Sequence, residues 1–428
     1  MTTSIAAFRA RRTLYRKPPA LRELRTAGEN ERAARRTVAV AYGLLFLNAL
    51  GYTGSAIHVP SIVGKAITQG ALPAALVLLL SVNRRVILRP NVFLCLVSLL
   101  SAEAFLTALQ PQYFGTIYRT FRLAEFVIAL WLLTPWWGRT DRLLLRCHMI
   151  ILWVILGTVA LGLLVAPGQA IVAGRLGGSL WYIPTTQVAH YAAVLTGLMI
   201  VLWLCGEAGG RRTLATVFCA IPLLLLTHTR TALAGMAAGI LVAGMSLVVA
   251  RARVRKLFAA AGILLTLGVL TLSGFITTWL ARGEGSHELT DLTGRTKVWT
   301  QLLATPRNAF QEIFGFGLSN SSYNGLPIDS TWVSSYQEQG LFGDTVCGLI
   351  LLFLLVAAYF QLRGVQRAVA LFLIVYCLIA SFTEDGFNDV TPYLLDLTIA
   401  ASMLLPAAAA RYRHESRAGP IMLPTCDT

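Results

Sequence analysis

Charge is scarce in this sequence: Asp, Glu, Lys and Arg make up 13% of its 428 residues, against about 25% in ordinary soluble domains, while hydrophobic side chains reach 56%. A soluble globule of ordinary composition is thereby excluded, and lipid is the expected solvent. Cysteine pairs are missing too. The seven cysteines are scattered, and none sits in a C-x-x-C step, so neither a disulfide framework nor a thiolate metal cluster is expected. The chain also lacks D-x-D, H-E-x-x-H and a glycine-rich loop ending in Gly-Lys-Ser/Thr. Neither a metal-held nucleotide sugar nor ATP hydrolysis is suggested, and no cofactor or metal is implied. There is no internal repeat.

What is present is a long series of apolar runs between residues 37 and 410. Most reach the roughly 17 to 25 residues a helix needs to cross a bilayer. Helices are expected over 37–56, 66–82, 91–109, 120–133, 147–166, 186–205, 213–226, 231–250, 257–280, 341–361, 368–382 and 390–408. The expected fold is an all-α polytopic membrane protein of about twelve transmembrane helices, with one large extracytoplasmic loop, 281–340, between the ninth and tenth. A basic tail (1–36) and a C-terminal tail (411–428) flank the transmembrane domain (37–410). The first helix reads as an uncleaved anchor, because it is long and many more follow.

The formal charge of +16 follows this topology rather than a nucleic-acid surface. Ten Lys/Arg lie before Thr37, and 27 of the 36 fall in the tails or in turns assigned to the cytoplasm. Both termini are therefore expected inside, with the N-terminal tail on anionic lipid. No aromatic interleaving suggests base stacking, so no nucleic-acid partner is expected.

The arginines left on the outer side need a reason. Arg230 stands in Thr227-His228-Thr229-Arg230-Thr231, a tight connection where a buried cation is costly without an anion. Arg175 lies among Gly174, Gly177 and Gly178, which allow close backbone approach. A guanidinium clasps phosphate with two parallel hydrogen bonds, and the plainer alternative is a snorkelling arginine at the headgroups. Arg119 and Arg122 share a helix start with Glu125, three residues beyond Arg122, which suggests a structural ion pair. Arg295 either meets ligand or docks the helix begun at Thr293-Gly294-Arg295, whose Val298, Trp299, Leu302 and Leu303 form an apolar stripe. For acid/base work Asp329 leads, the alternative being a helix cap, with a short helix expected over 329–340. Glu338, Glu384, Asp385, Asp389 and His287 follow, each also readable as a solvated loop charge. His190 and Glu103 are polar groups inside apolar runs, either functional or satisfied between helices.

Four segments together resemble the O-antigen ligase and polysaccharide polymerase superfamily of bacterial membrane glycosyltransferases. They are Arg175-Leu176-Gly177-Gly178 running to Pro184, Thr227-His228-Thr229-Arg230-Thr231-Ala232-Leu233-Ala234, Thr293-Gly294-Arg295 with Val298-Trp299, and Gly315-Phe316-Gly317 followed by Asp329-Ser330-Thr331-Trp332 and Glu338-Gln339-Gly340-Leu341-Phe342-Gly343. The resemblance implies a polyprenyl-diphosphate-linked glycan donor at the outer face of the cytoplasmic membrane. It implies metal-free transfer to the hydroxyl of a glycan or lipid acceptor. Arg175 and Arg230 match the family's diphosphate-binding arginines. Where the ligases carry His-Asn in the loop this chain has Asp329-Ser330, which makes Asp329 the aligned candidate base and shifts the expectation from strict ligase towards a polymerase or another glycan transferase of the same superfamily. The rival from another class is a polytopic transporter or lipid-linked glycan flippase.

Overall fold

The computed structural model describes residues 21–52, 54–55, 59–109, 114–248, 254–256, 260, 295–319, 322–323 and 326–405. They are predominantly helical: α1 (Leu21–Leu50), α2 (Ser61–Val82), α3 (Val92–Ala108), α4 (Phe114–Leu133), α5 (Leu143–Val165), the short α6 (Pro167–Ala170), α7 (Thr185–Leu204), α8 (Gly210–Leu226), α9 (Arg230–Val248), α10 (Arg295–Leu303), α11 (Ala309–Phe314), α12 (Thr331–Phe360), α13 (Val365–Ala380) and α14 (Pro392–Leu404). Two small antiparallel hairpins interrupt them, β1 (Ile171–Val172) with β2 (Arg175–Leu176) and β3 (Ser322–Tyr323) with β4 (Leu326–Pro327).

By length and composition, α2, α5, α7, α9 and α12 suffice to cross a membrane, and α3, α13 and α14 are shorter apolar helices. Apolar sequence here does not mean buried sequence. In the apolar window of α5 only 33% of the residues are covered, and Leu164 is 80% exposed, so the helix turns hydrocarbon outward as lipid contact requires. The central element is α7, 78% buried over its apolar window, with α5, α8, α9 and α13 against it. Small residues permit that closeness. Phe372 of α13 wedges between Gly197 of α7 and Gly239 of α9, at sites where an added Cβ would collide with the ring.

Three expectations shift. The first helix starts at Leu21, inside the stretch read as tail, and it is tied down by ion pairs of Arg35 and Arg139 to Glu31 (2.9 and 2.7 Å) and of Arg35 to Asp141 (3.3 Å). The helix expected to start at 341 begins ten residues earlier, because the short 329–340 helix runs into it through a kink at Gly340 (φ 65°). Of the stripe on α10, Val298 and Leu302 pack on Ile328 with Trp299 beside them, whereas Leu303 is exposed. The expected ninth helix and His287 lie outside the described residues.

Candidate functional site

The hairpin end of the bundle gathers the arginines. The β1–β2 turn, Ala173-Gly174, has both residues at positive φ (49° and 73°), the geometry of a tight two-residue hairpin. It aims Arg175 at the α8–α9 connection, where Nε donates to the Thr227 carbonyl (3.1 Å) and Nη2 to the Thr229 hydroxyl (3.4 Å). That connection is a strained turn with His228 at φ 51°. Arg230 follows it as the first residue of α9. Its Nε and Nη2 are buried and have no hydrogen-bond partner among the described residues. Two guanidinium-bearing residues therefore converge on one helix N-terminus, whose free N–H groups and dipole already favour an anion. The side chain of Arg295, at the start of α10, lies outside the described residues.

Asp329 reaches the same end of the bundle by another route. It is half-buried, one residue before Ser330, which holds the N-cap position of α12, so Asp329 itself is not the cap. The segment is fixed to the end of α13, with the Thr331 N–H donating to the Ser381 carbonyl (2.9 Å), its hydroxyl to Glu384 O (2.8 Å) and Trp332 Nε1 to Ser381 Oγ (3.1 Å). Antiparallel α13 packs along α9, with Tyr376 against Gly235, little more than a turn into α9 from Arg230.

Glu338 is not a solvated loop charge. It is buried and accepts the Ser319 N–H and hydroxyl on Oε1 (both 2.8 Å) and the Asn388 amide on Oε2 (3.0 Å). The two glycine motifs interlock there: the Phe316 and Gly317 N–H groups bond the carbonyls of Gln337 and Glu338 (3.0 and 2.8 Å), and Gly315 and Gly340, both at positive φ, lie against each other's strands of backbone. A side chain at either would strike main chain. Arg307 docks the same loop, donating to Tyr336 O (3.0 Å) and Gln337 Oε1 (2.8 Å).

Arg122 is structural, with a different partner from the one expected. Its Nε and Nη2 bond Asn48 Oδ1 and O (3.0 and 2.9 Å), Nη1 lies 3.7 Å from Asp389, and Arg119 pairs with the same carboxylate at 3.2 Å. No ion pair to Glu125 forms among the described residues. His190 is buried in the bundle, its ring packed on Tyr376, the residue set against Gly235 of α9. Its Nε2 is 3.2 Å from Asp396 Oδ2, His148 Nε2 is 2.9 Å from Oδ1, and Tyr42 closes the chain at 2.9 Å from His148 Nδ1. Asp396, His148 and Tyr42 escaped the sequence reading, although an acid and a histidine inside apolar runs were signal enough. Glu103 is likewise buried, beside Gln339 of α12.

No family model matches the chain, and no curated protein sequence matches it.

Proposed function

We propose that this chain is a membrane glycosyltransferase that moves a glycan from a polyprenyl diphosphate onto an acceptor hydroxyl, in the manner of the O-antigen ligases and polysaccharide polymerases it resembles. Twelve helices cross the bacterial cytoplasmic membrane in this reading, both termini lie inside, and the Arg175 hairpin and the 281–340 segment face outward. The carrying observation is Arg230, whose two buried, unpartnered donors sit at a helix N-terminus beside Arg175. A buried charged donor left unpaired is costly, and a diphosphate is the ligand that relieves it.

The chemistry needs little else. The acceptor oxygen attacks the anomeric carbon, the bond from that carbon to the diphosphate oxygen breaks, and the lipid diphosphate leaves with the electron pair. Fixed guanidinium groups stabilise the charge that develops on it. The acceptor proton passes to a carboxylate, and Asp329 is the candidate on the outward side, worth roughly 10² to 10⁴ in rate.

Lysine cannot reproduce a planar two-donor clasp. Arg230→Lys and Arg175→Lys are therefore expected to insert normally and lose most glycan assembly in a strain lacking the native gene. Normal glycan from both would remove the diphosphate site. A second reading, a proton-coupled transporter or lipid-linked glycan flippase, is favoured by the buried Tyr42–His148–Asp396–His190 chain, since ionisable groups inside a membrane often relay protons. The two separate on purified protein, because only a transferase joins donor and acceptor in detergent with no membrane to cross.

A further inference from the structure

Beside the Arg175 hairpin lies an open cavity of about 480 Å³ lined by Ser55, Gln169, Val172, Gly178, Ser179 and Tyr182 among others. Its size is within the roughly 300 to 1,000 Å³ of small-molecule sites. The walls are set by main chain. Tyr182 N–H donates to Gly54 O (3.0 Å), Trp181 Nε1 to Gly51 O (2.9 Å), and Gly178 and Ile183 exchange hydrogen bonds at 2.9 and 3.3 Å. Trp181 stands edge-on to Tyr52 with centroids 4.9 Å apart. Gly178 is required, since a Cβ there would lie 2.6 Å from the Trp181 carbonyl. The shape therefore exists before any ligand arrives.

The chemistry of the lining is narrow. Among the described residues no charged side chain lines the cavity, and its polar groups are neutral. Tyr182 is half exposed and offers a ring face, Gln169 offers an exposed amide, and Ser179 closes the wall with its hydroxyl turned in against Gly162 of α5. A flat aromatic with neutral donors and acceptors around it suits a ring that is apolar on its faces and hydroxylated at its edge. The position adds the decisive constraint. Val172, in the cavity wall, is the cross-strand partner of Arg175, which points to Thr227 and Thr229 next to Arg230. Directly paired strand residues project from the same face of a hairpin about 5 Å apart, so the cavity wall adjoins the stem of the Arg175 side chain.

We infer that this cavity seats the neutral sugar ring attached directly to the donor diphosphate, with the ring against Tyr182 and its hydroxyls on the Gln169 amide. The inference rests on the transferase reading above, and it adds that donor selection is made on the first sugar, on this side of the hairpin.

The test uses the full chain in lipid nanodiscs with two probes, undecaprenyl diphosphate and the same lipid carrying one N-acetylhexosamine. Wild type is expected to bind the sugar-bearing lipid more tightly. Gln169→Ala and Tyr182→Ala, both at exposed positions, should weaken the sugar-bearing lipid by roughly ten-fold and leave the bare lipid unchanged. Tyr182→Phe should retain binding, since it keeps the ring face. Equal loss for both lipids would make the cavity a lipid seat and overturn the inference, as would no loss for either. Arg230→Lys keeps the two questions apart: it should weaken both lipids. If it weakens neither while the Gln169 and Tyr182 variants still act on the sugar alone, the diphosphate site fails and the sugar seat stands. Failure of wild type to bind either lipid overturns both.

Discussion

Replacing Glu338 by glutamine and by alanine separates a carboxylate that holds structure from one that takes a proton. Its oxygens accept hydrogen bonds of 2.8, 2.8 and 3.0 Å from Ser319 and Asn388, so they fasten the Gly315–Ser319 turn and the 388–389 segment to α12. Alanine removes all three and leaves buried donors facing a void. At about 1 to 3 kcal/mol for each of the three groups left unpaired, the expected loss is about 3 to 9 kcal/mol, comparable with the whole stability of many proteins. Glutamine keeps the shape. Its amide oxygen still accepts from Ser319, and its NH₂ meets Asn388, whose side chain can turn to offer Oδ1, an atom now without a partner. The cost at these three bonds is at most the loss of charge assistance, about 1 kcal/mol. Glu338→Ala is therefore expected to fail to accumulate, while Glu338→Gln unfolds slightly earlier in detergent by scanning fluorimetry and keeps most glycan assembly. A Glu338→Gln protein that unfolds like wild type but transfers nothing would refute the clamp and make Glu338 the base.

Two further predictions concern topology and the buried chain. Tags at both termini should be cytoplasmic and a tag at Gly285 should be outside, following the placement of 27 of 36 Lys/Arg; protection of the Gly285 tag from external protease would defeat the map. Asp396→Ala strands two imidazoles in the core and should cost about 3 to 5 kcal/mol, read as a lower unfolding midpoint. An Asp396→Ala protein that is as stable as wild type but inactive would assign the chain a chemical role.

Local features were legible in the sequence, and pairings across the chain were not. Helices α2 to α5 and α7 to α9 lie where apolar runs end in turns, because a membrane-length run writes its own boundaries. The start of α1 was hidden, since charged residues between 21 and 36 give no apolar signal and the helix is held by contacts to Asp141 and Arg139. Arg230 was visible because a cation in a tight turn between two apolar runs is anomalous wherever it folds. Arg122 misled for the opposite reason: helix spacing placed Glu125 within reach, but an Asn48 carbonyl 74 residues away and Asp389 compete better. Burial of Glu338 depends on Ser319 and Asn388, 19 and 50 residues distant, and the His148–Asp396 approach joins residues at opposite ends of the bundle's chain order. Nothing local distinguishes such a carboxylate from a solvated one.

Asp329 is where geometry sharpens the sequence reading most. As a cap it would tolerate asparagine, because asparagine caps as well as aspartate, and Asp329→Asn alone would then have been ambiguous about any small loss. Ser330 occupies the cap position instead (φ −165°, ψ 127°), and its side chain makes no capping bond. The segment is held by Thr331 and Trp332 on Ser381 and Glu384, none of which changes in Asp329→Asn. The substitution therefore leaves those contacts in place while removing the carboxylate's charge and its capacity to take a proton. Expression and unfolding midpoint should match wild type, the sugar-bearing polyprenyl diphosphate should bind normally, and transfer should fall by roughly 10² or more. Serine at 330 supplies an internal control, since Ser330→Ala is expected to leave transfer intact. Normal glycan assembly from Asp329→Asn would show that no proton passes through this carboxylate and would move the base to another group at the hairpin end.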